Sequence, residues 1–239
     1  MEVDIFIPCL VDQFSPQTGM NMVKVMKKAG VTVHYNNKQT CCGQMAFNSG
    51  YWDEAKKIGE KFIVDFNTEN IVVGPSTSCV SFVRNHYDKL FYNSGLHLEF
   101  KRLKKRIFEF SDFMVNIAKQ VDVGAELNAK AVYLDSCSSS QSYGLKNEPR
   151  ELLKKVKGLE LIDLENEDDC CSFGGLFTLT TEPVALVLAK RVVLAAIESG
   201  AQVIISTDFS CLLNLDSYIK KNDISLKVMH IVDVLAQGY

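Results

Sequence analysis

Ile71-Val72-Val73-Gly74-Pro75-Ser76-Thr77-Ser78-Cys79 is a short apolar run, a proline-marked turn and a cysteine. The apolar run is bounded by polar residues and reads as a buried strand. The turn then delivers Cys79 to the start of a helix. The same order of strand, cysteine and helix recurs along the chain. Val3 to Pro8 leads to Cys9, and Val31 to Tyr35 runs toward Cys41-Cys42-Gly43. Ala129 to Asp135 leads to Cys137, Leu159 to Leu164 runs toward Cys170-Cys171, and Gln202 to Thr207 leads to Cys211. Helices fill the intervals. Ser15-Pro16 supplies a cap and a first-turn proline with Gly30 as the stop, and Pro183 to Ser199 is closed by Gly200. Tyr51 to Phe66 has helical spacing, and Glu148-Pro149 opens a helix expected to stop near Gly158.

Alternating strands and helices predict an α/β fold with parallel sheets covered by helices. In such sheets ligands collect at the carboxyl ends of strands, which is where every cysteine group falls. The cysteines also reveal a repeat. Cys137 stands 128 residues after Cys9, Cys170 and Cys171 stand 129 after Cys41 and Cys42, and Cys211 stands 132 after Cys79. A near-constant offset over four landmarks means an internal duplication. Two pseudo-symmetric repeats are therefore expected, residues 1–122 and 123–239, each with its own site. Phe110 to Ala118 echoes Met229 to Ala236 as short closing helices, and Val121 to Asn128 is the expected junction. No proline- or serine-rich linker marks it, so the halves are expected to pack together.

The chain has 239 residues, a formal net charge of −3, 47% hydrophobic and 23% charged residues, which is an ordinary globular composition. This charge leaves no electrostatic footprint for nucleic acid. No apolar run approaches the roughly 18 residues of a membrane span. The N-terminus shows no secretory signal, so a reducing, cytoplasmic compartment is expected, with any membrane association coming through partners. Lys101-Arg102-Leu103-Lys104-Lys105-Arg106 is the one strong charge run, a solvated helix face or a docking surface for an acidic partner. Neither a dinucleotide fingerprint nor a phosphate-binding loop is present. His34, His86, His97 and His230 read as structural residues.

Four thiols per half admit several readings. Buried inert cysteines would explain any one of them but not the matched spacing. Disulfides fit poorly with a reducing compartment. Zinc sites usually draw on C-x2-4-C knuckles, and no C-x-x-C occurs. Adjacent cysteines diverge, which suits a broad polynuclear cluster, and four cysteines match the ligand count of an iron–sulfur cluster. Iron–sulfur fits best and zinc second. Asp12, Gln44, Asn48 and Ser49 flank the first group, either to hydrogen-bond cluster sulfurs or a substrate or as cap and turn residues; Phe173 with Gly174-Gly175 would shield the second or form a turn.

Cys9-Leu10-Val11-Asp12, Cys41-Cys42-Gly43-Gln44, Ala46-Phe47-Asn48-Ser49-Gly50-Tyr51, Pro75-Ser76-Thr77-Ser78-Cys79, Cys170-Cys171-Ser172-Phe173-Gly174-Gly175, Cys211-Leu212-Leu213-Asn214 and Lys227-Val228-Met229-His230-Ile231 together resemble the cysteine-rich CCG-domain iron–sulfur oxidoreductases. The resemblance covers essentially the whole chain and is strongest to the lactate-utilisation branch of that family. It departs at Ser76 and Asp208, where heterodisulfide reductases carry a further cysteine, at Ser172, and in the serine run after Cys137.

The resemblance implies one cluster per half, most naturally [4Fe-4S]. Cys9, Cys41, Cys42 and Cys79 would be the ligands of the first, and Cys137, Cys170, Cys171 and Cys211 those of the second. It further implies an iron–sulfur electron-transfer subunit of an L-lactate-oxidising complex that converts lactate to pyruvate. Such an oxidoreductase subunit would be inactive alone and would work with a ferredoxin-like iron–sulfur protein and a third subunit. A thiol–disulfide oxidoreductase and a zinc-stabilised, non-enzymatic scaffold are the alternatives.

Overall fold

A computed structural model describes residues 1–162, 178 and 181–238. The first repeat runs β1 (Glu2–Ile5), α1 (Cys9–Phe14), α2 (Pro16–Lys28), β2 (Thr32–Tyr35), α3 (Gln44–Asn48), α4 (Trp52–Asp65), β3 (Ile71–Gly74), α5 (Thr77–Phe91), α6 (His97–Arg106), β4 (Ile107–Glu109) and α7 (Phe110–Asp112). A π-helical turn, Phe113–Ile117, prolongs α7. The second repeat runs β5 (Glu126–Tyr133), a π-helical segment (Ser138–Tyr143), α8 (Glu148–Leu153), β6 (Lys157–Ile162), α9 (Glu182–Glu198), β7 (Val203–Ser206), α10 (Phe209–Lys221), β8 (Lys227–His230) and α11 (Ile231–Leu235).

The described residues form two four-stranded sheets, β2-β1-β3-β4 and β6-β5-β7-β8, every pairing parallel. The matching order makes the duplication structural. Val3 lies opposite Ile71 in one sheet as Ala131 lies opposite Val203 in the other. Parallel sheets need both faces covered, because their crossovers lay helices on each side. The outer face of the first sheet is covered by apolar side chains of α4, α5 and α6, among them Phe62, Val80, Phe91 and Phe100. The second is covered by α9 and α10 through Ala189, Val192, Val193, Leu215 and Ile219. The apolar stripe of α9 recurs at helical spacing, Ala185, Ala189, Val192, Val193 and Ala196. Between the sheets lies one shared core, where Val3, Met22 and Val25 meet Ala131, Leu152, Val203 and Leu235. The halves thus pack on each other through continuous apolar contact.

Hydrogen bonds cross the same boundary. Thr18 Oγ1 and Asn21 Nδ2, on α2, donate to the Asp233 carboxylate of α11 at 2.7 and 2.8 Å. Asp112, which holds the matching place on α7, accepts from the Tyr143 hydroxyl at 2.6 Å. Each closing helix therefore grips the opposite repeat, the self-complementary pattern of a two-fold interface.

Several expectations are corrected. Each sheet has a fourth strand, β4 and β8, which as segments of three and four residues carry no readable periodicity. The helix opened by Pro149 stops at Leu153, and Gly158 sits inside β6. The expected junction already contains the first residues of β5. The basic run, by contrast, lies on α6 as the expected solvated helix face, with Leu103 buried and Arg102 and Lys105 exposed. Lys101 and Lys104 both pair with Asp88, at 2.5 and 2.8 Å, and Arg106 donates to the carbonyls of Phe66 and Asn70 at 2.7 and 2.6 Å. No helix among the described residues is long and apolar enough to cross a membrane.

Candidate metal centre

Cys9 is the first residue of α1, just past β1. Cys41 and Cys42 fill the loop from β2 to α3, and Cys79 lies in the first turn of α5, just past β3. Three strands end side by side in the sheet, so three separate sequence positions converge at one edge. Gly43 makes the turn after the pair, with φ +88°. That is a left-handed conformation which costs other residues a Cβ clash; here a Cβ would stand 3.1 Å from the Ala55 carbonyl oxygen.

The four sulfurs run as a chain. Cys9 Sγ lies 3.6 Å from Cys41 Sγ, Cys42 hydrogen-bonds to both Cys41 and Cys79, and the Gly43 N–H donates to Cys41 Sγ at 3.3 Å. Hydrogen bonds from Cys42 and then Cys9 hold the Cys41 thiol down to about 3, against the opposing effect of burial. The donors pay the reverse shift: Cys9 is raised by its bond to Cys41 and by burial, and Cys42 by its bonds to Cys41 and Cys79 and by burial. The lowered Cys41 thiol thus sits beside two raised ones, Cys9 and Cys42, because several anions this close would repel. A cationic centre would release the remaining protons, since thiolates rather than thiols ligate metals. Among the described residues no three His, Cys, Asp or Glu side chains are arranged around a single ion. The donor set, four cysteine sulfurs, matches in kind and number what an iron–sulfur cluster takes.

The cysteines of the two halves are not walled off from one another. Cys9, Cys41, Cys42 and Cys79 line the same cavity as Cys137 and Cys211. Cys42 is 1% and Cys211 3% exposed, whereas Cys137 is exposed. Cys211, in the first turn of α10, is disulfide-bonded. Cys170 and Cys171, with Ser172, Phe173, Gly174 and Gly175, lie outside the described residues. Cys137 precedes a segment that docks on the first repeat: Asn85 Nδ2 donates to the Ser142 carbonyl at 2.6 Å, and the Arg84 guanidinium lies 4.8 Å from the Tyr143 ring centre.

Ser76 and Asp208 face the cavity from matching places, three residues before Cys79 and Cys211. Ser78 Oγ spans the boundary to the Asp208 carboxylate at 3.1 Å, and Ser210 Oγ donates to it at 2.7 Å. Just behind them, Thr77 Oγ1 donates to Thr207 Oγ1 at 2.8 Å. Of the flanking residues, Gln44 and Asn48 reach the cavity. Asp12 instead accepts from the Gln13 side chain at the surface, and Ser49 donates to the Met45 carbonyl within its own helix. His230 is buried and caps α11, accepting from the Val232 N–H. Sequence reasoning missed Tyr87, whose hydroxyl donates to the Cys42 carbonyl at 2.7 Å, and Glu109, which caps α7.

The cysteine-rich domain family, CCG, matches the chain twice, at residues 3–84 and 131–216. A lactate utilization protein A 2 of Bacillus cereus strain AH820 is 35% identical, the match covering 100% of this chain and 99% of that protein. A lactate utilization protein A of Halalkalibacterium halodurans is 37% identical over 98% and 96% of the respective lengths. Among solved structures, a glutamate racemase of Francisella tularensis in complex with D-glutamate covers 98% of this chain and 77% of its own. It aligns at 12% identity and a TM-score of 0.38, a likeness too slight to bear on fold or function.

Proposed function

This chain belongs to the cysteine-rich CCG domain family, and on that premise we propose that it is the iron–sulfur electron-transfer subunit of an L-lactate-oxidising complex. Its full-length kinship with lactate utilization proteins supports a role in lactate utilisation. The observation that carries the finer reading is the convergence of Cys9, Cys41, Cys42 and Cys79 at one sheet edge. These four would hold the first centre, and Cys137, Cys170, Cys171 and Cys211 the second. When bound, such a cluster takes up and releases electrons singly, at a potential set by charge, burial and hydrogen bonds to its sulfurs.

The protein's own contribution is to arrange those terms. Burial of Cys42 keeps water from its sulfur, the Gly43 N–H meets the Cys41 sulfur, and the shared cavity sets Cys137 and Cys211 beside the first four cysteines. Removing two electrons from a 2-hydroxy acid then falls to a companion subunit. The letter in the relatives' name implies such companions, here proposed as a ferredoxin-like iron–sulfur protein and a third subunit.

Iron and acid-labile sulfide, quantified on anaerobically purified protein, test the reading. Both should be present together with a paramagnetic signal on reduction. Stoichiometric zinc without sulfide would replace the proposal with a structural scaffold. The disulfide at Cys211 favours one second reading, a thiol–disulfide oxidoreductase. Turnover of a small disulfide by metal-free protein would support that reading, and absence of turnover would remove it.

A further inference from the structure

We infer that Tyr87 is a positioning residue for the first centre, acting on the Cys41 sulfur through the peptide between Cys42 and Gly43. That peptide is gripped at both ends. Its carbonyl oxygen accepts from the Tyr87 hydroxyl at 2.7 Å, and its N–H donates to Cys41 Sγ at 3.3 Å. The two bonds form one relay, O–H to O=C and N–H to sulfur, in which each bond polarises the next. Rotating the peptide plane would break both.

The surroundings make the hydroxyl meaningful. Tyr87 is 0% exposed and its ring packs against Phe62, Phe82, Phe91 and Phe100 at centroid distances of 6.1, 5.5, 5.3 and 5.9 Å. Gly59 leaves it room, since a Cβ there would stand 3.3 Å from the Tyr87 ring and 2.9 Å from Phe91. A phenylalanine would fill the same space, and a buried hydroxyl costs free energy unless it is bonded. The oxygen therefore serves the Cys42 carbonyl rather than packing. One helix, α5, carries both Cys79 and Tyr87, so the helix that supplies one sulfur also fixes the turn presenting two more.

The inference rests on the iron–sulfur reading for its redox arm only, and two substitutions separate the outcomes. Tyr87→Phe removes the hydroxyl, while Phe91→Leu loosens the same aromatic cluster and keeps it. In loaded full-length protein, Y87F should keep the wild-type iron content. It should also move the midpoint potential of one centre to lower values, because a sulfur whose N–H donor is less polarised accommodates an added electron less well. F91L should lower stability and leave the potential in place. In metal-free protein, Y87F should speed exchange of the Gly43 amide by roughly 2- to 10-fold, the range set by a hydrogen bond of ordinary net strength. Wild-type exchange and potential in Y87F would overturn the inference, as would a Y87F that only reproduces the stability loss of F91L. Absence of iron in every variant would sink the cluster reading, and the amide exchange would still decide the role of Tyr87.

Discussion

Glu109 and His230 occupy the same place in the two repeats. Glu109 lies opposite Gly74 at the end of β4, and His230 lies opposite Ser206 at the end of β8. Each caps the helix that follows. Glu109 accepts from the N–H groups of Ser111 and Asp112 at 2.6 and 3.3 Å, and His230 accepts from that of Val232 at 3.2 Å. Both are buried, at 0% and 2% exposure.

This pair predicts opposite limbs of a stability–pH profile. Burial pushes the Glu109 carboxyl up from 4.5 to about 8, against the pull of the two N–H donors. Its Oε1 finds no partner among the described residues. Because the folded chain holds this proton while the unfolded chain releases it, stability is full below about 4.5 and is lost as pH rises toward 8. Burial lowers the His230 imidazole from 6.5, so its contribution is present above that value and is lost as pH falls. Glu109→Gln keeps an acceptor for the cap and cannot ionise. Thermal unfolding of metal-free protein should show E109Q above wild type at alkaline pH, indistinguishable from it near pH 4.5, with the acid limb unchanged. An alkaline limb that survives in E109Q would show that another group causes it.

Gly43→Ala should destabilise the protein by roughly 1–2 kcal/mol, the cost of a left-handed backbone for a residue with a Cβ. The added carbon would also press on the Ala55 carbonyl. Denaturant unfolding gives the number, and iron content should fall in parallel because the same turn presents Cys41 and Cys42. Gly30→Ala has φ +76° and open space around the Cβ. It should show the backbone cost without the loss of iron.

Thr18→Val deletes a fully buried hydroxyl that donates to the Asp233 carboxylate across the repeat boundary. A bond to a charged group is worth about 1.5–3 kcal/mol, and chemical denaturation should report a loss of that size. A two-state transition in the variant would show that the halves still unfold together; two separated transitions would mean that this clamp is what couples them.

Cys79→Ser should remove about half the iron from anaerobically reconstituted protein, as should Cys42→Ser. In wild type the second half of the iron should load only after thiol reduction, because Cys211 is held in a disulfide. Full iron in the serine variants would contradict the ligand assignment, and full loading without reductant would contradict the disulfide's hold on the second site.

Much of the fold was legible because its signals are local. β3 is found where Ile71 to Gly74 was expected, and the helix predicted over Tyr51 to Phe66 spans Trp52 to Asp65, since apolar spacing and glycine stops need no tertiary knowledge. The short strands at Ile107 and Lys227 were not legible. Their pairing depends on β3 and β7 already being in place. The site divides the same way. Matched cysteine spacing pointed to ligands, and three strand ends do bring the first four together. Tyr87 looks like one more core aromatic in a helix of apolar residues, and only coordinates show where its oxygen goes. Glu109 had a readable trace, because aligning Phe110 with Ile231 places it against His230, but burial of an acid cannot be read from spacing.

Two identical subunits packed about a two-fold axis must offer every side chain in duplicate. Joining the copies in one polypeptide lifts that constraint, and the chamber wall shows it: a hydroxyl at Ser76 answers a carboxylate at Asp208. The second repeat thus contributes a carboxylate where the first contributes only a hydroxyl, an inequality that a true two-fold dimer could not hold.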